Sequence, residues 1–143
     1  MSLDKLIARF QGVDKAVRLE AILDASNRLP ALPERLRIDR DREAHRVTEC
    51  QTPVFLWFEP EGERIRMYAD VPREAPTVRG FVSLLLKQLD GALPAEYVAV
   101  PADLLSLLRL DETLGMMRTQ GLSAIVRRVR SAGAQLGASG RSA

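Results

Sequence analysis

Two apolar patterns stand side by side in residues 53–70 and restrict the fold more than any other stretch. PVFLWF is a short, continuous apolar run, rich in β-branched and aromatic residues and led by a proline, as in a buried strand. EPEGE follows as a turn signal, with Pro60 and Gly62. RIRMYAD then alternates, placing Ile65, Met67 and Ala69 on one face and Arg64, Arg66 and Tyr68 on the other. Together they predict an antiparallel hairpin. A hairpin alone is marginal in water, so it must gain a strand or pack on helices. Residues 36–47 are the candidate third strand.

The rest of the chain supplies the helices. LDKLIARF (3–10) predicts a short amphipathic helix that Gly12 breaks. VDKAVRLEAILDASN resumes the period, with Val13, Val17 and Ala21 on one side and Leu19, Ile22 and Leu23 beside them. Asn27 and Pro30 end it. LPALPERLR, with two prolines three residues apart, is expected to run extended, and the charge-dense DRDREAHR to form a solvated loop or edge. TVRGFVSLLLKQLDG predicts a helix with Thr77 as N-cap and Gly91 as terminator. Its stripe of Val78, Phe81, Val82, Leu85 and Leu89 is widened by Leu84 and Leu86, so it should be buried on more than one side. LPAEYVAV and PADLLSLLRL read as short helices. TQGLSAIVRRVRSAGAQL presents Leu122, Ile125, Val126 and Val129 on one face. The order predicts an α+β fold in which a small antiparallel sheet of two to three strands packs against several helices. Residues 1–136 form a single domain, and 137–143, without an apolar anchor, a flexible tail.

The only cysteine, Cys50, lies just before the hairpin in AHRVTECQTPVFLWF, with the only histidine, His45, and the only tryptophan, Trp57. A lone thiol on a loop feeding a strand is placed for chemistry. A lone cysteine also packs in cores, although the polar neighbours here argue against that. One cysteine cannot form an internal disulfide, and with one histidine it cannot build a Cys/His zinc site. Nor can it hold an iron–sulfur cluster on four thiolates. Arginines number 18 and lysines 3, against 19 acidic residues, for a net charge of +2. The arginines are scattered among carboxylates, which argues against nucleic acid as a partner. The cluster Arg127, Arg128 and Arg130 reads as the solvated end of a helix. No apolar run approaches the ~20 residues that span a bilayer, so no membrane partner is expected. The N-terminus lacks a secretory pattern, which predicts a cytoplasmic location where the thiol stays reduced. GxGxxG and GxxxxGK[ST] are absent, and no two-carboxylate or metal-binding pattern is recognisable.

HRVTECQTPVFLW resembles the hallmark of the SufE family, sulfur-acceptor proteins of iron–sulfur cluster assembly, which reads roughly Arg/Asn-x-Val-x-Gly-Cys-Gln-Ser-x-Val-Trp. Arg46, Val47, Cys50, Gln51, Thr52 and Val54 match outright or conservatively. Glu49 stands for the usual glycine, Pro53 for a polar residue and Phe55 for tryptophan. The resemblance extends through LPALPERLR, TVRGFVSLLLKQLDGALPAEYVAV and RTQGLSAIVRRVR, in the family's order, over residues 29–130. It implies a SufE/IscU-like fold and a persulfide acceptor at Cys50. The implied donor is a SufS-type cysteine desulfurase, whose pyridoxal phosphate belongs to that partner, so no cofactor is expected here. The implied receiver is the Suf scaffold complex. Gln51, Arg118 and Arg46 become candidates for partner binding or loop support, Arg118 through a block that also matches at Gly121 and Leu122. The chain would then be a transfer protein that activates a desulfurase rather than a stand-alone enzyme.

Persulfide transfer follows thiol–disulfide exchange and needs a mobile thiolate, a docking surface and cover for the loaded sulfur. Glu49 complicates this. A residue other than glycine implies a different loop path or strain, and a carboxylate beside a thiol disfavours its ionised form. His45, five residues before Cys50, reads either as a Cys–His partner or as a solvated loop residue. A non-carrying regulatory module for a desulfurase and a redox sensor oxidised at Cys50 remain alternatives, as do a monomer and a weak homodimer.

Overall fold

The computed structural model of the chain describes residues 3–141. The expected hairpin is present: Phe55–Glu61 forms β1 and Arg64–Asp70 forms β2, antiparallel, with Leu56 opposite Ala69, Trp57 opposite Tyr68 and Phe58 opposite Met67. The turn is shorter than EPEGE suggests. Pro60 and Glu61 still pair with β2, and the chain reverses at Gly62, whose φ of +62° costs glycine little. The run Phe55, Leu56, Trp57 is apolar at every position because both faces of the hairpin are covered. Leu56 joins Ile65, Met67 and Ala69 in the main core, whereas Phe55 and Trp57 pack with Leu36 in a smaller outer cluster edged by Leu32 and Tyr68.

That outer face is covered by residues 34–46, and here the third-strand expectation fails. The segment folds as a short helix, Glu34–Arg37, and a 3₁₀ turn, Arg42–His45; an isolated bridge between Arg46 and Phe55 marks this edge of the two-stranded sheet. Its charged residues carry no period-two pattern and hold the hairpin by their tips. Arg35 pairs with Glu59 at 2.6 Å, Trp57 Nε1 donates to Asp39 at 3.2 Å, and Arg42 pairs with Asp70 while lying 4.0 Å over the Phe55 ring. The second half of LPALPERLR is therefore helical rather than extended.

Helices α1 (Leu3–Gln11) and α2 (Lys15–Ser26) precede that segment, whose short helix is α3. Asp14 caps α2 by accepting the Val17 N–H at 3.0 Å. The buried face of α2 differs from the apolar count: Val17 and Leu23 are exposed, while Arg18 is only 4 % exposed beside Ile22 and Ala25. Arg18 can be buried because its guanidinium is satisfied, donating to Val13 O at 2.6 Å and to Thr113 Oγ1 at 3.0 Å.

Helix α4 (Pro76–Leu89) is the central element, buried along most of its length and packed on α2 and β2. Its N-cap is Ala75 rather than Thr77, because Pro76 occupies the first helical position, where its missing N–H costs nothing. Gly91, at φ +81°, follows its end as expected. At Gly80 a Cβ would overlap the Ile22 carbonyl, so α2 and α4 cross with backbones in contact. Short helices α5 (Pro94–Val98), α6 (Leu104–Leu107) and α7 (Leu110–Leu114) lead to α8, Met116–Arg141. The segment 137–141, read from sequence as tail, is thus the end of α8; residues 142 and 143 lie outside the described residues. Among the described residues no helix is long and apolar enough to cross a membrane.

Candidate functional site: the thiol cleft

The cysteine loop is a small closed structure held by backbone bonds. Val47 donates its N–H to Val54 O at 2.9 Å, and Cys50 donates its own to Val47 O at 3.1 Å. These bonds make Thr48 and Glu49 the exposed tip of a turn and direct Cys50 inward. Val47 and Val54, both fully buried, anchor the loop's two ends in the main core. Cys50 is 7 % exposed and packs with that core, so its polar neighbours in sequence misrepresent its surroundings.

Helix α8 is the platform under this loop. Gly121 lies directly beneath the thiol: a Cβ there would stand 3.0 Å from Cys50 Sγ and 3.3 Å from its Cα. Two turns further on, Arg128 Nη2 donates to the carbonyl of Arg46 at 2.6 Å, and Arg127 comes within 3.9 Å of the Glu49 carboxylate. Arg130 donates to Val100 O at 2.5 Å. The arginine cluster therefore lies in the middle of a long helix rather than at its end, with Arg128 and Arg130 tied to backbone carbonyls and Arg127 left on the solvated face. Sequence reasoning missed these ties, and its one available signal was the seven-residue interval from Gly121 to Arg128, which returns to the same helix face.

The thiol borders a cleft of about 570 Å³ between the loop, the start of α4 and the start of α8. Gln51, Glu74, Thr77, Met117 and Arg118 are among its other lining residues. Arg118 Nη1 donates to Thr77 Oγ1 at 3.1 Å and so joins α8 to the first turn of α4. Cys50, Gln51 and Arg118 thus share one cleft. Arg46 does not: its guanidinium lies 5.9 Å from the Phe55 ring, and it supports the loop through its carbonyl. His45 is stacked on Trp57 at 5.2 Å, with Nε2 3.9 Å from Asp39, and it is absent from the cleft lining. The Cys–His pairing is not formed.

Glu49 is accommodated without left-handed backbone. Among the described residues Arg109, at φ 57°, is the only non-glycine with positive φ. The Glu49 carboxyl is held below the usual carboxylate range, first by its own backbone N–H, then by the Thr48 hydroxyl and the nearby Arg128 and Arg127. Its charge is thus engaged along the loop and α8. Among the described residues no group of three or more His, Cys, Asp or Glu is placed to hold a metal ion.

Comparison with known proteins gives this geometry a family. The family profile described as "SufE: Fe-S metabolism associated domain" matches residues 4–133. The chain belongs to the SufE family. An uncharacterized SufE-like protein of Mycobacterium tuberculosis (strain H37Rv) is 38 % identical over 124 residues, covering 86 % of this chain and 82 % of its own length. A SufE-like chloroplastic protein of Arabidopsis thaliana is 34 % identical over 103 residues, covering 71 % of this chain and 38 % of its own length. Among solved structures, the solution structure of a hypothetical protein from Thermus thermophilus superposes with a TM-score of 0.78 at 31 % identity, covering 94 % of this chain and 97 % of that one. The α+β fold is therefore the fold of a solved relative. In this SufE-family chain three of the four blocks recognised in sequence converge on one place, since the cysteine loop, the start of α4 and the start of α8 are the three walls of the cleft, whereas LPALPERLR packs on the outer face of the hairpin.

Proposed function

We propose that this chain is a cytoplasmic sulfur carrier that accepts persulfide sulfur on Cys50 from a cysteine desulfurase, raising its turnover, and passes it to an iron–sulfur cluster scaffold. The observation that carries the reading is that the only thiol of a SufE-family chain borders an open cleft with Gln51 and Arg118. In the transfer, Cys50 thiolate attacks the outer sulfur of the donor's persulfide. A new S–S bond forms at Cys50, the donor's S–S bond breaks, and the donor cysteine leaves as thiolate. One sulfane sulfur is lost by the donor and gained by Cys50, so no external oxidant or reductant is needed. Handing the sulfur on repeats the exchange with Cys50 as leaving group. Pyridoxal phosphate chemistry belongs to the desulfurase, and this chain contributes a thiol, a docking charge at Arg118 and a cleft to cover the loaded sulfur. Met116 and Met117, which are strongly exposed beside Arg118, offer the donor adaptable apolar contact.

The burial of Cys50 supports a second reading, a docking module that regulates the desulfurase without taking sulfur. Mass spectrometry after mixing with a desulfurase and cysteine separates the two. The carrier gains sulfur on Cys50 in steps of one atom, and Cys50→Ser gains none and stimulates no turnover. Stimulation retained by Cys50→Ser would favour the regulatory module over the carrier.

A further inference from the structure

A second cleft lies elsewhere on the molecule, between α1, α2 and the C-terminal half of α4, and none of its lining residues borders the thiol cleft. Its volume, about 540 Å³, is within the range of small-molecule sites. Ala25, Leu84 and Leu86, all buried residues that line the cleft, give it an apolar floor. Its charged lining is unbalanced, three cations against one anion: Arg9, Arg28 and Lys87 against Asp24. The anion is already taken, since Arg28 pairs with Asp24 at 2.9 Å. Arg9 and Lys87 have no ion-pair partner among the described residues. Ser83 adds a hydroxyl to the lining. The residue is only 6 % exposed, and its hydroxyl has no hydrogen-bond partner among the described residues. No fully enclosed side-chain oxygen or nitrogen among the described residues lacks a partner, so this hydroxyl is open to the cleft.

From the pairing of an apolar floor with two unneutralised cations and one unused hydroxyl, we propose that this cleft binds a small amphipathic anion, a carboxylate or phosphate head on a short apolar body. The body covers Ala25, Leu84 and Leu86, the head meets Arg9 and Lys87, and the Ser83 hydroxyl donates to it. The site is independent of the sulfur-carrier reading and uses none of its residues.

The test is a titration of the full chain followed by amide ¹H–¹⁵N shifts, with octanoate and octyl phosphate as anionic probes, octanol as the neutral control and octylammonium as the cationic one. Saturable shifts confined to residues 21–28 and 83–87 are expected with the anions, with octanol binding about fivefold more weakly and octylammonium not at all. The ratio of octanoate to octyl phosphate affinity identifies the head group. Arg9→Ala combined with Lys87→Ala, both exposed positions, should weaken anion binding about fivefold and leave octanol unchanged. Ser83→Ala should weaken the anions alone. The proposal is overturned by an absence of saturable shifts at millimolar probe, by shifts centred on the thiol cleft, or by octanol binding as well as octanoate with the double variant indifferent. The last result would make the cleft an apolar surface without charge selection.

Discussion

At the scale of single residues, the exposure of Cys50 is set by what lies under and beside it. Gly121 leaves just enough room for the thiol, since a Cβ at 3.0 Å from Sγ is closer than such contacts normally come. Gly121→Ala should therefore lift the loop, speeding iodoacetamide labelling of Cys50 while lowering stability by about 1 kcal/mol, an overpacking cost partly offset by alanine's better helix propensity. A raised melting temperature with unchanged labelling would show that the loop absorbs the methyl. Glu49 raises a different question, because a carboxylate next to the thiol suggests from sequence that charge restrains it. The carboxylate is engaged by the loop's own groups and α8, so the backbone is the stronger restraint. Glu49→Gln should change the neutral-pH labelling rate by less than about twofold, as expected for an exposed, screened charge. Glu49→Gly should raise the rate at every pH by freeing the turn. A gain in the glycine variant that vanishes at high pH would restore the charge explanation.

At the scale of elements, the best-read parts of the sequence are those where one residue pattern maps onto one environment. RIRMYAD alternates because one face of β2 meets the core, and its span and buried residues agree with the structure. The stripe on α4 likewise announced a helix buried on several sides. Legibility ends where a polar residue is buried through its partners or an apolar one is left outside. Arg18 and Val17 exchange their expected places because hydrogen bonds to Val13 and Thr113, not hydropathy, decide the face of α2. The candidate site shows the same limit. Its motif residues were recognisable along the chain, but the arginine ties from α8 and the non-participation of His45 depend on long-range packing that a local pattern cannot encode. The contact of α2 with α4 at Gly80 gives a sharp stability prediction. In Gly80→Ala a Cβ would lie 2.7 Å from Ile22 Cγ2 and overlap its carbonyl, a rigid backbone obstacle. The variant should lose about 3 kcal/mol, the upper end of overpacking costs, and its thermal midpoint should fall well below that of Gly121→Ala. Equal midpoints for the two variants would mean that the helices separate at little cost.

At the scale of the whole molecule, the hairpin divides two unequal cores. The main core takes one face and unites α2, α4 and α8, whereas the small outer cluster is closed by residues 34–46, which lead directly into the cysteine loop. The outer closure depends on carboxylates. Asp39 is held below its ordinary range, first by the backbone N–H of Asp41 and then by the Trp57 indole, and Glu59 is held below its range chiefly by hydrogen bonding to Arg35. A carboxylate whose folded pKa is depressed stabilises the fold above its unfolded value and loses that contribution as pH falls through the folded value. The main core is apolar, and the closest partners of the buried Arg18 beside it are the Val13 carbonyl and the Thr113 hydroxyl, neither of which titrates in acid. Acid should therefore release the outer segment first. On titration downward from about pH 5, below which carboxylates begin to protonate, Trp57 fluorescence should change before the far-ultraviolet helix signal falls. Cys50 labelling should quicken over the same window, after correction for the intrinsic pH dependence of the reagent with an unfolded control. Glu59→Gln removes one of the two carboxylates held below their ordinary range and should flatten the fluorescence change without moving the helix transition. Coincident fluorescence and helix transitions in both proteins would show that the two cores melt as one unit, and the outer segment would then have no separate influence on the thiol.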